Sequence, residues 1–206
     1  IRIRTPDDVP APTILFWSGS TGTVVERNHL VNCYQGIAFG NSSDEERPSH
    51  SGGVVRNNMI TASLPHDSLA EMVHATGWLV AHNTVLGMHP ASGLTWLVEA
   101  RFADTSGTFA YNLTNMAVIN RDGSGATLTG NVTNAQPSWF VDAASADLHV
   151  ISPTLQVIDR AETLAQIPTD IDGDVRPAGP APDVGADEYV EPPILTPRVY
   201  LPLVLR

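Results

Sequence analysis

Carboxylates alternate along a turn-rich segment near the end of the chain, at Asp170, Asp172 and Asp174. Oxygen-rich loops of this kind are typical calcium ligands, and Asp183 follows close enough to join them. The segment lacks the glycine and glutamate that an EF-hand requires at its sixth and twelfth positions. We therefore predict a calcium site of another kind at these four aspartates. The alternative is a turn in which the aspartates cap backbone amides and pair with Arg176.

A second group of reactive side chains alternates along the apolar stretch from Thr95 to Phe102. Residues two apart on a strand share a face, so Glu99 and Arg101 are expected together on the outward face, next to Leu97. A pair of this kind is most often a surface ion pair. The residues expected on the inward face are Trp96, Val98, Ala100 and Phe102.

The composition excludes several classes of partner and site. The formal net charge is −11, and all 11 basic residues are arginine. An acidic chain without a basic cluster repels phosphate backbones, so we expect no nucleic-acid partner. No stretch approaches the roughly 18 apolar residues of a membrane span. The lone cysteine, Cys33, excludes an internal disulfide framework and a cysteine-based zinc site, and we expect it in the core.

A short sequence pattern, called the phrase below, occurs five times and marks the elements that position these residues. In it, an apolar residue stands three positions before an asparagine, and a short apolar run follows. The chain also contains 16 Gly and 16 Pro, and only 16% of its residues are charged. Short strands joined by turns suit this composition, so we predict an all-β fold. The asparagines of the phrase are Asn28, Asn58, Asn83, Asn112 and Asn131.

The repeated asparagine suggests a structural role. Asparagine tolerates the left-handed conformation of a tight bend, and its amide both donates and accepts hydrogen bonds. Amides stacked at the strand spacing of about 4.8 Å would bond along the stack. We therefore predict a ladder of asparagines, and we expect any chemistry on the variable residues between them.

Further segments resemble a known family. The phrase Gly36-Ile-Ala-Phe39 and the ending at residues 140–150, 170–177 and 182–189 are similar to right-handed parallel β-helix proteins of the pectate-lyase-like superfamily. The resemblance implies an all-β, right-handed parallel β-helix, a solenoid of about five coils with a C-terminal cap and an extended tail. It also implies a secreted or cell-surface bacterial protein.

Three regions follow from this resemblance. Residues 1–160 would form the coils, as the C-terminal part of a longer helix, because Ile1 to Arg4 read as a strand already in progress. Residues 161–190 would form the cap, and residues 191–206 a Pro-rich linker with an apolar tail. The tail, Val199 to Leu205, is expected to pack as an edge strand or to pair with another subunit.

The resemblance also implies candidate catalytic residues. In polysaccharide lyases of that superfamily, a basic residue abstracts the proton beside a uronate carboxylate while a cation neutralises the carboxylate. The absence of lysine removes one usual choice of base. The residues for these roles are Arg101 or Arg121 as the base, Glu71, Glu99 or Asp104 as ligands of the cation, and His74 as an acid.

Three functional hypotheses follow. The favoured one is an extracellular scaffold that binds carbohydrate or another protein and is not itself an enzyme. The first alternative is a polysaccharide lyase or glycosidase that acts on acidic polysaccharide. The second is a structural protein that assembles through Val199 to Leu205. Calcium is the one cofactor that the sequence suggests.

Overall fold

A computed structural model describes residues 11–151 and 154–191, and its regular secondary structure consists almost entirely of short strands, all of them before residue 151. The described strands, in chain order, are β1 (Pro12–Phe16), β2 (Ser20–Thr21), β3 (Val24–Glu26), β4 (His29–Val31), β5 (Gln35–Phe39), β6 (His50–Ser51), β7 (Val54–Arg56), β8 (Met59–His66), β9 (Ala70–Val73), β10 (Ala75–Ala81), β11 (Thr84–Pro90), β12 (Trp96–Arg101), β13 (Ser106–Ala110), β14 (Leu113–Thr114), β15 (Ala117–Arg121), β16 (Thr127–Thr129), β17 (Phe140–Asp142) and β18 (Asp147–Val150). Two single-turn 3₁₀ helices, Pro137–Trp139 and Ala143–Ser145, flank β17. The all-β prediction is confirmed.

The strands form three parallel sheets. A five-stranded sheet has the order β1-β5-β9-β12-β15, and a four-stranded sheet has the order β14-β11-β8-β4. A seven-stranded sheet contains β2, β3, β6, β7, β10, β13 and β16, in which β10 pairs with both β6 and β7. The last two strands, β17 and β18, pair antiparallel.

This division corrects the expected fold. The prediction of a single right-handed β-helix solenoid of about five coils is wrong, because the strands belong to several parallel sheets of unequal size and to a separate antiparallel pair. The repeated phrase indicates which residues align on neighbouring strands. It carries no information on how strands are divided among sheets, because pairing and bulges depend on contacts far apart in the sequence.

The apolar residues of the repeated phrase align in register across the seven-stranded sheet. Val25 pairs with Val55, Val55 with Val80, Val80 with Phe109, and Phe109 with Leu128. The first four are buried in the main hydrophobic cluster, which also contains Cys33 as expected. Each strand thus covers the apolar side chain of its neighbour, and burial of this row stabilises the stack.

The five asparagines stack beside this row and hydrogen-bond to one another. Each side-chain Nδ2 donates to the Oδ1 of the next asparagine, at 2.9, 2.8, 2.9 and 2.9 Å from Asn28 to Asn131. The same Oδ1 atoms also accept the backbone N–H of the preceding asparagine. The sequence separations are 30, 25, 29 and 19 residues, so loops of different length are accommodated between constant ladder positions.

The left-handed bend falls one residue earlier than expected. Positive φ angles of 50–58° occur at the residue before each ladder asparagine, not at the asparagine itself. Left-handed backbone is costly for most side chains, so the bend is maintained by surrounding contacts. One of these is the hydrogen bond from each asparagine's Nδ2 to a backbone carbonyl, as from Asn83 to Ala81 at 3.1 Å. The residues with positive φ are Arg27, Asn57, His82, Tyr111 and Gly130.

Residues 154–191, called the closing segment below, lie along the flank of the sheets. Arg27 Nε and Asn57 Nδ2 donate to carbonyls of this segment, at 3.1 and 2.7 Å. His82 Nδ1 lies 3.0 Å from the carbonyl of Asp183, and Thr84 Oγ1 accepts a backbone N–H from Ala186 at 2.8 Å. The segment therefore contacts several successive strands and the turns between them.

Part of the sequence prediction falls outside the described residues. The apolar tail from Val199 to Leu205 lies there, as do residues 1–4. Within the described residues, no helix is long and apolar enough to cross a membrane.

Candidate functional site: a polar cleft on the five-stranded sheet

A cleft of about 200 Å³ lies on the five-stranded sheet and is lined mainly by charged and polar side chains. Glu71 on β9, Glu99 and Arg101 on β12, and Arg121 on β15 line it. These four residues are called the polar cleft below. Asn41, Gln35 and Asp67 lie at its edge. The sequence singled out these four charged residues, and the structure brings them together with Asp67, which the sequence did not indicate.

Strand register places these side chains side by side. Glu71 is the lateral partner of Glu99, and Arg101 is the lateral partner of Arg121. Glu99 and Arg101 are two residues apart and so share a face. The cleft therefore presents a row of two carboxylates next to a row of two guanidinium groups, on neighbouring strands about 4.8 Å apart.

The expected alternation along β12 is wrong at its first residues. The pairing of β12 with β15 is irregular between Trp96 and Val98. Leu97, expected outward, is fully buried in the core. Trp96, expected inward, lies under the Arg121 guanidinium, 4.4 Å from the ring centroid. A bulge reverses the face of the residues before it, and period-two counting along one strand cannot detect this.

Ion pairs connect the charged groups. Glu99 is only 2% exposed, and its Oε2 accepts a 2.6 Å hydrogen bond from Arg121 Nη1. Arg101 Nε donates to Asp122 Oδ2 at 2.8 Å, and its Nη1 lies 3.7 Å from Glu71 Oε1. Glu71 is therefore paired less closely with a guanidinium than Glu99 is.

The pKa values follow this arrangement. The pKa of Glu71 is raised to about 7, chiefly by burial and also by the nearby charge of Glu99, and Arg101 offsets the two effects only in part. Burial lowers the pKa of Arg101, yet the hydrogen bond to Asp122 and the charges of Asp122, Glu71 and Glu99 leave it raised overall. At neutral pH Glu71 thus exchanges a proton readily, whereas Arg101 stays protonated.

The remaining residues of the predicted lyase site lie elsewhere. His74 Nδ1 is 2.7 Å from Asp104 Oδ1, and its ring stacks on Phe102 at 4.4 Å. Asp104 also pairs with Arg47 at 3.5 Å. Neither His74 nor Asp104 lines the polar cleft. His74 has a left-handed backbone immediately after β9, so the chain changes direction between Glu71 and His74.

The predicted calcium ligands are mostly engaged in holding backbone. Asp170 Oδ1 accepts N–H groups from residues 172, 173 and 174, and its Oδ2 accepts the N–H of Glu188. Asp183 accepts the N–H groups of residues 159 and 189. Among the described residues, the four aspartates do not form a compact ligand group. Only Asp172 belongs to one, with His149 and Asp187.

Arg176 does not pair with the capping aspartates as the alternative proposed. Its Nη1 donates to Glu188 Oε2 at 2.8 Å, and both side chains are 1% exposed. The guanidinium also donates to the carbonyls of Asp183 and Gly185. The turn alternative thus describes Asp170 and Asp183, but the buried ion pair links Arg176 to Glu188.

Several residues around these sites were not expected from the sequence. Asp122 and Asp67 approach the cleft from a loop and a strand end, and no spacing signal marks them. His149 and Asp147 are two residues apart on β18, so both lie on one face of the strand. Their spacing in the sequence could have predicted this pair. Asp187 could not be assigned, because its neighbour His149 is far away in the sequence.

A larger cavity, of about 320 Å³, lies between the four-stranded sheet and the second 3₁₀ helix. Its described lining includes Asn32, Ser63, Met88 and His89 with small alanine side chains. His89 is its one titratable lining residue, so this cavity lacks the opposed charges of the polar cleft.

No known family model, curated protein or solved structure matches the chain. The resemblance to the pectate-lyase-like superfamily therefore stays a prediction, and the functional argument rests on the geometry of the polar cleft.

Proposed function

We propose that the protein binds carbohydrate in the polar cleft, through hydroxyl groups of the sugar. The observation that carries this proposal is the row of two carboxylates beside the row of two guanidinium groups. A sugar hydroxyl both donates and accepts hydrogen bonds, so neighbouring hydroxyls fit alternating acceptors and donors. Trp96 lies beneath Arg121 and supports its guanidinium, 4.4 Å from the ring centroid.

The charge balance favours a neutral sugar over an acidic one. Asp67, Glu71 and Glu99 line the cleft against two arginines. Arg101 also has Asp122 as a partner, so neither guanidinium is left for the carboxylate of a uronate. A lyase reaction also fits poorly, because the raised pKa of Arg101 keeps its guanidinium protonated at neutral pH and so unable to accept a proton.

A second candidate is hydrolysis of a glycosidic bond. Two carboxylates in different environments are the arrangement that glycosidases use for an acid and a nucleophile. Glu71, with its pKa of about 7, would protonate the leaving oxygen, and Glu99, held by Arg121, would attack the sugar.

The proposal includes a secreted or cell-surface location. It is supported by the ending at residues 170–189, whose resemblance implies an extracellular setting. A scaffold that binds a partner protein, or one that assembles through its tail, remains a separate proposal that needs residues beyond the cleft.

A glycan array that includes neutral and uronate-containing oligosaccharides tests the binding proposal, followed by calorimetry on the best ligand. We expect neutral glycans to bind and Glu71→Gln or Arg101→Gln to weaken binding at least ~10-fold, since each removes a charged hydrogen-bonding group. The matched control is Glu26→Gln, which removes an ion-paired carboxylate from the seven-stranded sheet. Equal affinity in all three variants, or no glycan binding, would reject the proposal.

The same incubations separate binding from hydrolysis. New reducing ends that appear with the wild type and are lost in Glu71→Gln and Glu99→Gln support the second candidate. Binding without any release of reducing ends supports the first and eliminates the second.

A further inference from the structure

His149, Asp172 and Asp187 converge at a site remote from the polar cleft. Their ligand atoms all lie within 4.8 Å of one another, and His149 Nε2 is 2.8 Å from Asp172 Oδ2. His149 comes from β18, Asp172 from a turn of the closing segment, and Asp187 from near the end of that segment. Three separate stretches of chain thus supply one nitrogen and two carboxylates.

The surroundings hold the histidine in the orientation of a metal ligand. Asp147 Oδ1 lies 2.5 Å from His149 Nδ1, so the other ring nitrogen, Nε2, is directed at the two aspartates. Histidines that bind metals usually donate their second ring N–H to a carboxylate in this way. Asp147 itself is outside the group of three ligands.

Asp187 provides a second indication. The residue is only 6% exposed, and its Oδ2 accepts the backbone N–H of Val150 at 2.6 Å. This hydrogen bond fixes the carboxylate in place, with a ligand oxygen within 4.8 Å of the His149 and Asp172 ligand atoms. Asp172, by contrast, has a side chain that is 53% exposed, which leaves the group open to solvent on one side.

We propose that His149, Asp172 and Asp187 form a binding site for a divalent transition metal such as Zn²⁺. One imidazole nitrogen with two carboxylates matches the three-ligand zinc sites in which water completes the tetrahedron. Calcium is a poorer fit, because it prefers six to eight oxygen ligands and no nitrogen. The site therefore differs in ligands and in metal from the calcium site that the sequence suggested.

A metal at this position would join β18, the turn at Asp172 and the end of the closing segment. The competing occupant is a proton on His149, which would make the ring an imidazolium bridging Asp147 and Asp172. The two arrangements use the same residues but differ in whether added metal binds.

The test measures metal binding to the intact chain after dialysis against a chelator. We expect one equivalent of Zn²⁺ by calorimetry, and a rise in Tm of about 5 °C or more at a hundredfold excess over Kd. Bound Co²⁺ should give a visible absorption spectrum of tetrahedral type. His149→Gln and Asp172→Asn should each lower the affinity at least ~10-fold, and Asp172 is exposed enough for the variant to fold.

The matched control is His74→Gln. His74 also has a carboxylate at 2.7 Å, from Asp104, but the pair belongs to no group of three ligands among the described residues. This variant should bind Zn²⁺ as the wild type does. Failure of the wild type to bind Zn²⁺ or Co²⁺, or unchanged affinity in both His149→Gln and Asp172→Asn, would overturn the proposal in favour of the bridging imidazolium.

Discussion

Glu71 and Glu99 are neighbours on adjacent strands, yet they differ in what surrounds them. Glu99 is almost fully buried and accepts a 2.6 Å hydrogen bond from Arg121. Glu71 has Arg101 only at 3.7 Å and is close to the charge of Glu99. The chemistry of the cleft therefore depends on one carboxylate that takes up a proton near neutral pH and another that is held by an ion pair.

A pH dependence of stability follows from Glu71. Its pKa in the folded protein, about 7, lies above the ordinary value of 4.5, so folding strengthens its hold on the proton. The stabilising contribution is complete below pH 4.5 and is lost as the pH rises to about 7. Glu71→Gln removes this loss. In urea denaturation, the free energy of unfolding of the variant should rise relative to that of the wild type across that range, by at most on the order of 3 kcal/mol.

The comparison needs a control for the removal of one negative charge. Glu26→Gln serves, because Glu26 pairs with Arg56 on another sheet and does not contact the cleft. A difference between Glu71→Gln and wild type that stayed constant from pH 4.5 to about 7 would contradict the assignment of the raised pKa to Glu71.

At the scale of elements, the asparagine ladder connects consecutive strands without belonging to any one of them. Asn58, Asn83 and Asn112 are buried, whereas Asn28 and Asn131 at the two ends are partly exposed. Each inner amide makes hydrogen bonds on both sides. Buried amides are costly when unpaired, so an inner position carries more of the stability than an end position.

Asn83→Ala tests the ladder. The variant loses the acceptor for the backbone N–H and Nδ2 of Asn58, and the donor to Val55 O and to Asn112 Oδ1. We expect the free energy of unfolding to fall by about 3 kcal/mol or more, because several buried groups lose their partners. Chemical denaturation with an unchanged m-value is the measurement.

Asn28→Ala is the control at the end of the ladder. It removes the Nδ2 donor to Asn58 and to Glu26 but leaves no deeply buried group without a partner. Its expected cost is about 1 kcal/mol. Equal losses in the inner and end variants would show that the ladder hydrogen bonds do not determine the stability of the stack.

For the whole molecule, the closing segment packs against the seven-stranded and four-stranded sheets. A second hydrophobic cluster joins it to β11, β13 and β14, through residues such as Leu86, Leu113, Val157 and Val184. The buried pair Arg176–Glu188 holds the segment against itself. The side of the sheets that carries the ladder is thus covered by residues from the end of the chain.

Glu188→Gln should weaken the packing of the closing segment against the sheets. The substitution leaves the guanidinium of Arg176 buried without its closest carboxylate, and breaking a buried pair in this way costs about 3 kcal/mol or more. Thermal and urea unfolding measure the loss. Glu26→Gln, at the exposed pair with Arg56, should cost less than about 1 kcal/mol. A similar small loss at Glu188 would mean that the closing segment does not depend on the pair.

Much of the local organisation was predictable from the sequence. The repeated phrase indicated an all-β chain, the apolar row from Val25 to Phe109, and the asparagines that stack beside it. Glu99 and Arg101 were correctly placed on one face. These features depend on strand periodicity and on the chemistry of single side chains, both of which are legible over a few residues.

The tertiary structure decided the rest. The division into three sheets, the bulge that turns Trp96 toward Arg121, and the engagement of Arg101 by Asp122 depend on pairing between distant strands. Contacts such as Arg27 to Asp170, 143 residues apart, bring the closing segment onto the sheets. The grouping of His149 with Asp172 and Asp187 arises in the same way. Local spacing determines which side chains share a strand face, but only long-range packing determines which faces meet.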